Sequence, residues 1–198
     1  MMKTRIDFVS NSSSCSFIVI VDNGEKCLIE NVKRCSEKHM LYTIPNKEYG
    51  CREFGWQDER YDTIEDKLNW CGIILLSLYS ACRNADFRAA WTDSKPTMLC
   101  EHYEDWRNNF IKWKKMLEKV CKERLGFGVY LDLDWLKLYG ATDEDSWQAY
   151  VETFNCYIDH QSNIFEEPAN GKMFESEDAL YNFLAYEGSY IQCGNDNG

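Results

Sequence analysis

Between Phe8 and Phe17 the chain reads Phe-Val-Ser-Asn-Ser-Ser-Ser-Cys-Ser-Phe, with five serines and one asparagine framed by apolar residues. Hydroxyl and amide side chains in a tight connection bond nearby backbone groups. One reading is therefore a polar turn that feeds the next strand. The other is a cradle of backbone N–H and hydroxyl groups for an anion or ligand, built from Ser10, Asn11, Ser12, Ser13, Ser14 and Ser16, or a modification site. No Gly-Lys-Ser/Thr follows, so the segment is not a P-loop. No Gly-x-Ser-x-Gly elbow surrounds a serine either. A second stretch, Tyr157-Ile158-Asp159-His160-Gln161-Ser162, offers catalytic candidates in Asp159, His160 and Ser162. Histidine serves as a general base or a metal ligand near neutral pH. If this stretch is a strand, His160 and Ser162 share one face while Asp159 and Gln161 share the other, so Asp159 does not orient His160 directly. The plain alternative is a hydrogen-bonded polar strand end. Asp132 and Asp134 are a weak candidate for a hard divalent cation, since two carboxylates on one strand face need a third oxygen ligand; otherwise they form a solvated face. His39 and His102 stand in charged contexts and read as surface residues. No metal and no cofactor is assigned.

These residues need elements to hold them. The run Phe17 to Val21 is β-branched and aromatic throughout, as expected of a strand covered on both faces. Asp22-Asn23-Gly24 is a turn signal. Residues 26–34 fit either a returning strand or a helix start, and 43–61, with Pro45, Gly50 and Gly55, read as loop. Over 63–83 the residues Ile64, Leu68, Cys71, Leu75, Leu78 and Cys82 step by 4, 3, 4, 3, 4, one stripe of a helix. Trp70, Ile73, Ile74 and Leu76 widen the stripe until the middle is buried all round. Asp62 or Thr63 is suited to cap it. After a connection over 84–100 containing Pro96, a second helix over about 102–124 carries Tyr103, Trp106, Phe110, Trp113, Leu117 and Val120 on one face. Arg107, Lys112, Lys114, Lys115, Lys119 and Lys122 lie on the other, a solvated stripe, an internal match for acidic groups, or a partner site. Residues 127–135 alternate as a half-buried strand. A helix from Thr142 through Phe154, a short strand over 156–160, a loop over Glu166 to Gly171, a helix capped by Ser176, a closing strand over 189–193 and a polar tail over 194–198 complete the chain. The expected fold is one α+β domain over 1–198, with its helical part at about 62–124: a small mixed sheet packed by two long amphipathic helices and shorter ones.

Composition excludes several classes. The 198 residues are 44% hydrophobic and 15% aromatic, which excludes disorder over most of the chain. Lys and Arg number 22 against 33 Asp and Glu, a formal net charge of −11. Such a chain is a poor general binder of phosphate backbones and of anionic membrane surfaces. The ten cysteines are never closer than eight residues, so no zinc-type Cys-x-x-Cys pair occurs. Cys71, Cys82 and Cys121 sit in apolar periodic runs and read as small buried hydrophobes. The longest apolar run, Trp70 to Cys82, is too short to span a bilayer, and Met1 to Val9 lacks the apolar core of a signal peptide. The expectation is a reduced, cytoplasmic protein, monomeric or homodimeric.

The opening Phe8-Val9-Ser10-Asn11 with its serine run and Phe17-Ile18-Val19 resembles the start of a family of small phage- and prophage-type proteins. Glu53-Phe54-Gly55-Trp56, Ile158 to Ser162, and Ser189-Tyr190-Ile191 with Gly194-Asn195-Asp196 look like later landmarks of the same family. Cys15 stands where that run is usually serine, so no hydroxyl role is carried to that position. The resemblance implies a viral or mobile-element origin rather than a reaction, and directs attention to Ser10 to Ser16, Asp159, His160, Gln161 and Asp196. Three functions then compete. The first is a non-enzymatic acidic protein acting on a host component, such as a nucleic-acid-handling protein, with counter-defence (an anti-CRISPR or similar inhibitor) as one such role. The second is a small hydrolase or transferase with the serine loop as anion cradle and an Asp/His site. The third is a minor virion protein. The second requires residues 10–16, 158–162 and 194–196 to converge.

Overall fold

The computed structural model describes residues 3–9, 14–29, 32, 41–44, 59–92, 95–99, 101–133 and 168–195. Its strands are β1 (Lys3–Val9), β2 (Ser14–Val21), β3 (Leu41–Ile44), β4 (Glu59–Tyr61), β5 (Gly128–Leu131) and β6 (Tyr190–Asn195). Its helices are α1 (Ile64–Thr92), α2 (Pro96–Leu99), α3 (Tyr103–Val120), α4 (Pro168–Met173) and α5 (Glu177–Ala185), with a π-helical turn over Cys121–Leu125 ending α3. The expected α+β class holds, with helices packed against small sheets.

One sheet runs β1-β2-β6-β4, each neighbour antiparallel, and the other pairs β3 with β5 in parallel. β2 is central, as its continuous apolar run requires, and Ile18 to Val21 are buried. β1 is an addition to the sequence reading, which assigns no element to Lys3–Val9: Ile6 and Phe8 alternate with Arg5 and Asp7, a period-2 pattern. The loop over 43–61 is corrected at both ends, where residues 41–44 and 59–61 are strands. Ile29 and Val32 are helical, and Lys26 forms an isolated bridge with Tyr186.

α1 starts where its capping signal stands. Thr63 Oγ1 accepts from the Asp66 backbone N–H at 3.1 Å and donates to Asp66 Oδ2 at 2.7 Å. Glu65 and Asp66 oppose the positive end of the helix dipole. The helix is buried on every side through its middle, from Asp66 to Leu78. It then runs nine residues past Arg83, which corrects the connection expected over 84–100. Ala85 and Ala89 continue the Cys82 stripe at steps of three and four, and both are buried. Pro96 opens the short α2 instead of a loop, the favoured first-turn place for proline.

α3 packs its predicted face against α1, and Leu117, Val120 and Cys121 enter the same core as Leu68, Leu75 and Leu78. Trp113 stacks on Phe174 with ring centroids 4.8 Å apart, joining α3 to the residue that follows α4. Gly126 ends the π turn at φ 81°, in the left-handed region that favours glycine. Of the strand expected over 127–135, Gly128–Leu131 is present as β5, and 134–135 lie outside the described residues. Phe127, Val129 and Leu131 point inward and Tyr130 outward, as the alternation predicts. The loop over 166–171 is corrected, because α4 occupies 168–173. α5 begins at Ser176, whose side chain accepts from Ala179 N–H at 3.0 Å. The closing strand runs to Asn195, two residues into the expected tail. The helix over 142–154 and the strand over 156–160 lie outside the described residues.

Tyr103 opens α3 and ties it to α1: its hydroxyl donates to Asp86 Oδ1 at 2.7 Å. That bond, with burial, pushes the phenol up to about 12. A phenol whose native value exceeds its unfolded value stabilises the fold fully below about pH 10, and that contribution is lost as pH climbs toward the native value. Tyr103→Phe is expected to cost about 1 kcal/mol at neutral pH. Chemical denaturation across the alkaline range checks this: the gap between the two proteins is to stay constant up to about pH 10 and shrink above it.

Candidate functional site

Two places on the four-stranded sheet carry groups of chemical interest. At one end, Ser14 pairs with Asn195, Cys15 with Gly194 and Ser16 with Cys193 across β2 and β6. On the other side of β2, Phe8 pairs with Ser16 and Val9 with Cys15. Residues 14–16 of the serine-rich segment and 193–195 near the C-terminal landmark, remote in sequence, therefore lie on adjacent strands. Ser14 and Ser16 are strand residues in this register. Ser10, Asn11, Ser12 and Ser13 lie outside the described residues, as do Asp196 and the whole stretch Asp159, His160, Gln161 and Ser162. The described parts of two of the three segments that a ligand site requires, 14–16 and 194–195, thus meet in backbone register.

The remaining candidates are placed separately. Asp132 follows β5, is half-buried, and its backbone N–H donates to Ile44 C=O at 2.9 Å. Its partner Asp134 lies outside the described residues, as does His39. Among the described residues no group of three or more His, Cys, Asp or Glu side chains is arranged to hold a metal ion. His102 is exposed, 3.3 Å from Glu101 through Nε2, with its ring near Trp106. That agrees with its reading as a surface residue.

Two cations of the basic stripe of α3, Lys114 and Lys119, and Arg124 beyond it find carboxylates within the fold. Lys114 pairs with Glu118, and Lys119 with Glu177 at 2.6 Å. Arg124 pairs with Asp178 at 2.7 Å and lies over the Tyr181 ring. The carboxylate partner of Lys119 holds that ammonium above its ordinary range. Glu177 and Asp178 also occupy the first turn of α5, where negative charge opposes the helix dipole.

At the opposite end of the sheet, beyond Val21 and Tyr190, lies a cleft of about 230 Å³ lined by Cys27, Leu28, Asp62, Thr63, Ile64, Glu65 and Glu187. Beneath it sits Lys67, with no exposed surface. Its ammonium donates to Tyr186 C=O at 2.7 Å and to Cys27 Sγ at 3.3 Å. The Cys27 thiol in turn faces Asp62 C=O at 3.6 Å, and the Cys27 backbone N–H donates to Ala185 C=O at 2.8 Å. Burial pulls the Lys67 ammonium below its ordinary range, against the opposing effect of Cys27 and Asp62. Burial pushes the Cys27 thiol up, and the nearby Lys67 ammonium works against that shift. The rim is acidic. Asp62 is paired with Arg60 Nε at 3.0 Å, and Arg60 also donates to Glu187 C=O and covers the Tyr190 ring. Burial raises the Glu65 carboxyl. The volume is below the range of roughly 300–1,000 Å³ typical for small-molecule pockets, and the carboxylates disfavour phosphates. Oxidants of water size fit it.

Sequence reading missed this pair, although half of its signal was visible. Lys67 lies three residues after Ile64 and four before Cys71. It therefore falls on the apolar stripe of α1, where a lysine is rarely buried without a partner. The partner, forty residues away, is brought there by the turn after β2. Ser189, part of a landmark segment, is fully buried and joins β2 to the end of α5. Its hydroxyl accepts from Val21 N–H at 3.0 Å and donates to Asn182 C=O at 2.8 Å.

Cys27, Cys71, Cys82 and Cys121 are all buried, and Cys27, Cys71 and Cys121 are free thiols. Burial raises the Cys71 and Cys121 thiols with no cationic side chain opposing it, unlike Cys27 beside Lys67, which suits inert core residues. Among the described residues, no helix is long and apolar enough to cross a membrane. No protein-family model matches the chain, and the searches of curated proteins and of solved structures found no match.

Proposed function

We propose that the chain is a phage-type acidic interaction protein that acts on a host component without catalysing a reaction, counter-defence being one such role. Its partner is a basic protein, such as one that handles nucleic acid, and contact with nucleic acid itself is not part of the role. The observation that carries the reading is the net charge of −11. Three cations of α3 and its π turn are also engaged by Glu118, Glu177 and Asp178, so they do not form an open track for phosphates. Excess negative charge steers a basic surface toward the protein over about one Debye length, roughly 10 Å at moderate salt. Affinity capture from host lysate tests the proposal. A basic protein is expected to be retained at low salt and released as salt rises. Nothing retained above background at low salt overturns it.

A second reading is favoured by one observation, the register that sets Ser14 to Ser16 beside Cys193 to Asn195. It is a small hydrolase or transferase that uses this end of the sheet as an anion site. Equilibrium dialysis with inorganic phosphate and with a nucleotide separates the two readings: the interaction protein binds neither, whereas the enzyme retains at least one.

A further inference from the structure

Cys27 and Lys67 bring a thiol and an amine into contact inside the fold. Their Sγ and Nζ atoms are 3.3 Å apart, within the roughly 3–3.5 Å expected of atoms poised to react. Both are held from several directions. Lys67 stands in the first turns of α1 and is fixed by Tyr186 C=O, while Cys27 is fixed by Ala185 C=O and Asp62 C=O. Cys27 is 6% exposed and lines the cleft, whereas Lys67 lies wholly beneath it. A small neutral oxidant therefore reaches sulfur first, with the amine directly behind.

We propose that Cys27 and Lys67 form a redox-responsive covalent crosslink, a sulfenamide joining Cys27 Sγ to Lys67 Nζ, when the protein meets hydrogen peroxide. In the first step peroxide transfers one oxygen to sulfur. The thiol becomes a sulfenic acid, sulfur loses two electrons, and one water leaves. In the second step the neutral Lys67 amine attacks that sulfur. The S–N bond forms, the S–O bond breaks, and the departing hydroxide takes an amine proton as a second water. Burial favours the neutral amine that this step needs. A thiol reverses the bond by attacking sulfur, which releases the amine and leaves a mixed disulfide for a second thiol to resolve. The crosslink ties the segment after β2 to α1 across the floor of the cleft.

Peptide mapping of the full chain, treated with hydrogen peroxide and digested with trypsin, tests this. Trypsin releases Cys27 to Lys33 as one peptide and cuts after Lys67 in the reduced protein. The expected result is a new species joining residues 27–33 to residues 61–83, uncut at Lys67. Its mass is lighter than the two peptides by two hydrogens, and dithiothreitol removes it. Cys27→Ser and Lys67→Arg, each checked for folding by circular dichroism, are to reduce this species to background. Should a variant fail to fold, the unmodified chain suffices: oxidised Cys27 is to resist alkylation until dithiothreitol is added. Sulfinic acid at Cys27 with normal cleavage at Lys67 overturns the proposal, and so does a Cys27 that stays a free thiol.

Discussion

Gly72→Ala is expected to destabilise the fold by about 1–3 kcal/mol, although alanine alone favours a helix over glycine by roughly 1 kcal/mol. The reason is a close approach between helix and strand. A Cβ built on Gly72 meets Ile44 Cγ2 at 2.1 Å and Ile44 Cβ at 3.3 Å. Ile44 has no room to give: it is 1% exposed, pairs with Leu131 across the parallel strands, and accepts from Asp132 N–H through its carbonyl. A double-mutant cycle isolates the contact. Ile44→Ala alone costs about 2–5 kcal/mol by leaving a cavity. With the branch removed, the added methyl of Gly72→Ala fills part of that space, so the double variant is to be more stable than the sum of the single effects. Urea denaturation of the four proteins measures it. Additive effects mean that α1 does not press on β3 at this point.

Lys67→Ala is expected to cost about 3 kcal/mol, from a cavity in the core and an unpaired Tyr186 carbonyl. Lys67→Met leaves that carbonyl unpaired as well, but it fills most of the volume and removes the penalty of burying a charge, so its cost is to be smaller, about 1 kcal/mol. The order of the two variants is the informative part. A lysine in solvent gives two small and equal effects, whereas the ammonium held between Tyr186 and Cys27 gives a large difference. Thermal unfolding followed by circular dichroism resolves it.

The long helices were legible because their periodicity spans many turns. Ile64 to Cys82 and Tyr103 to Val120 each repeat at three- and four-residue steps, and both lie where the steps place them. The last turns of α1 were harder to see, since Ala85 and Ala89 mark the stripe with the smallest apolar side chain. β3 and β4 are four and three residues long, too short for a period of two to stand out. α4 reads Pro-Ala-Asn-Gly at its start, a turn composition that the surrounding core overrides. Local signals were readable closely: the cap at Ser176 to the residue, and the one at Thr63 as one of two neighbouring candidates, Asp62 or Thr63. Nonlocal ones were not: nothing in one sequence ties Ser16 to Cys193, or Cys27 to Lys67, because those contacts depend on which strands and helices become neighbours. The serine-rich segment was legible as polar, and its β1–β2–β6 surroundings became visible only through strand register.

The proposed docking of the acidic chain on a basic partner has a measurable consequence. The protein retained by affinity capture is to be purified and its affinity for this chain determined by calorimetry over a series of salt concentrations. Charge-driven docking predicts an affinity that falls steeply and continuously as salt rises, because screening shortens the reach of the surplus carboxylates. An affinity that is flat across the series, or no complex between the purified proteins at low salt, contradicts the account.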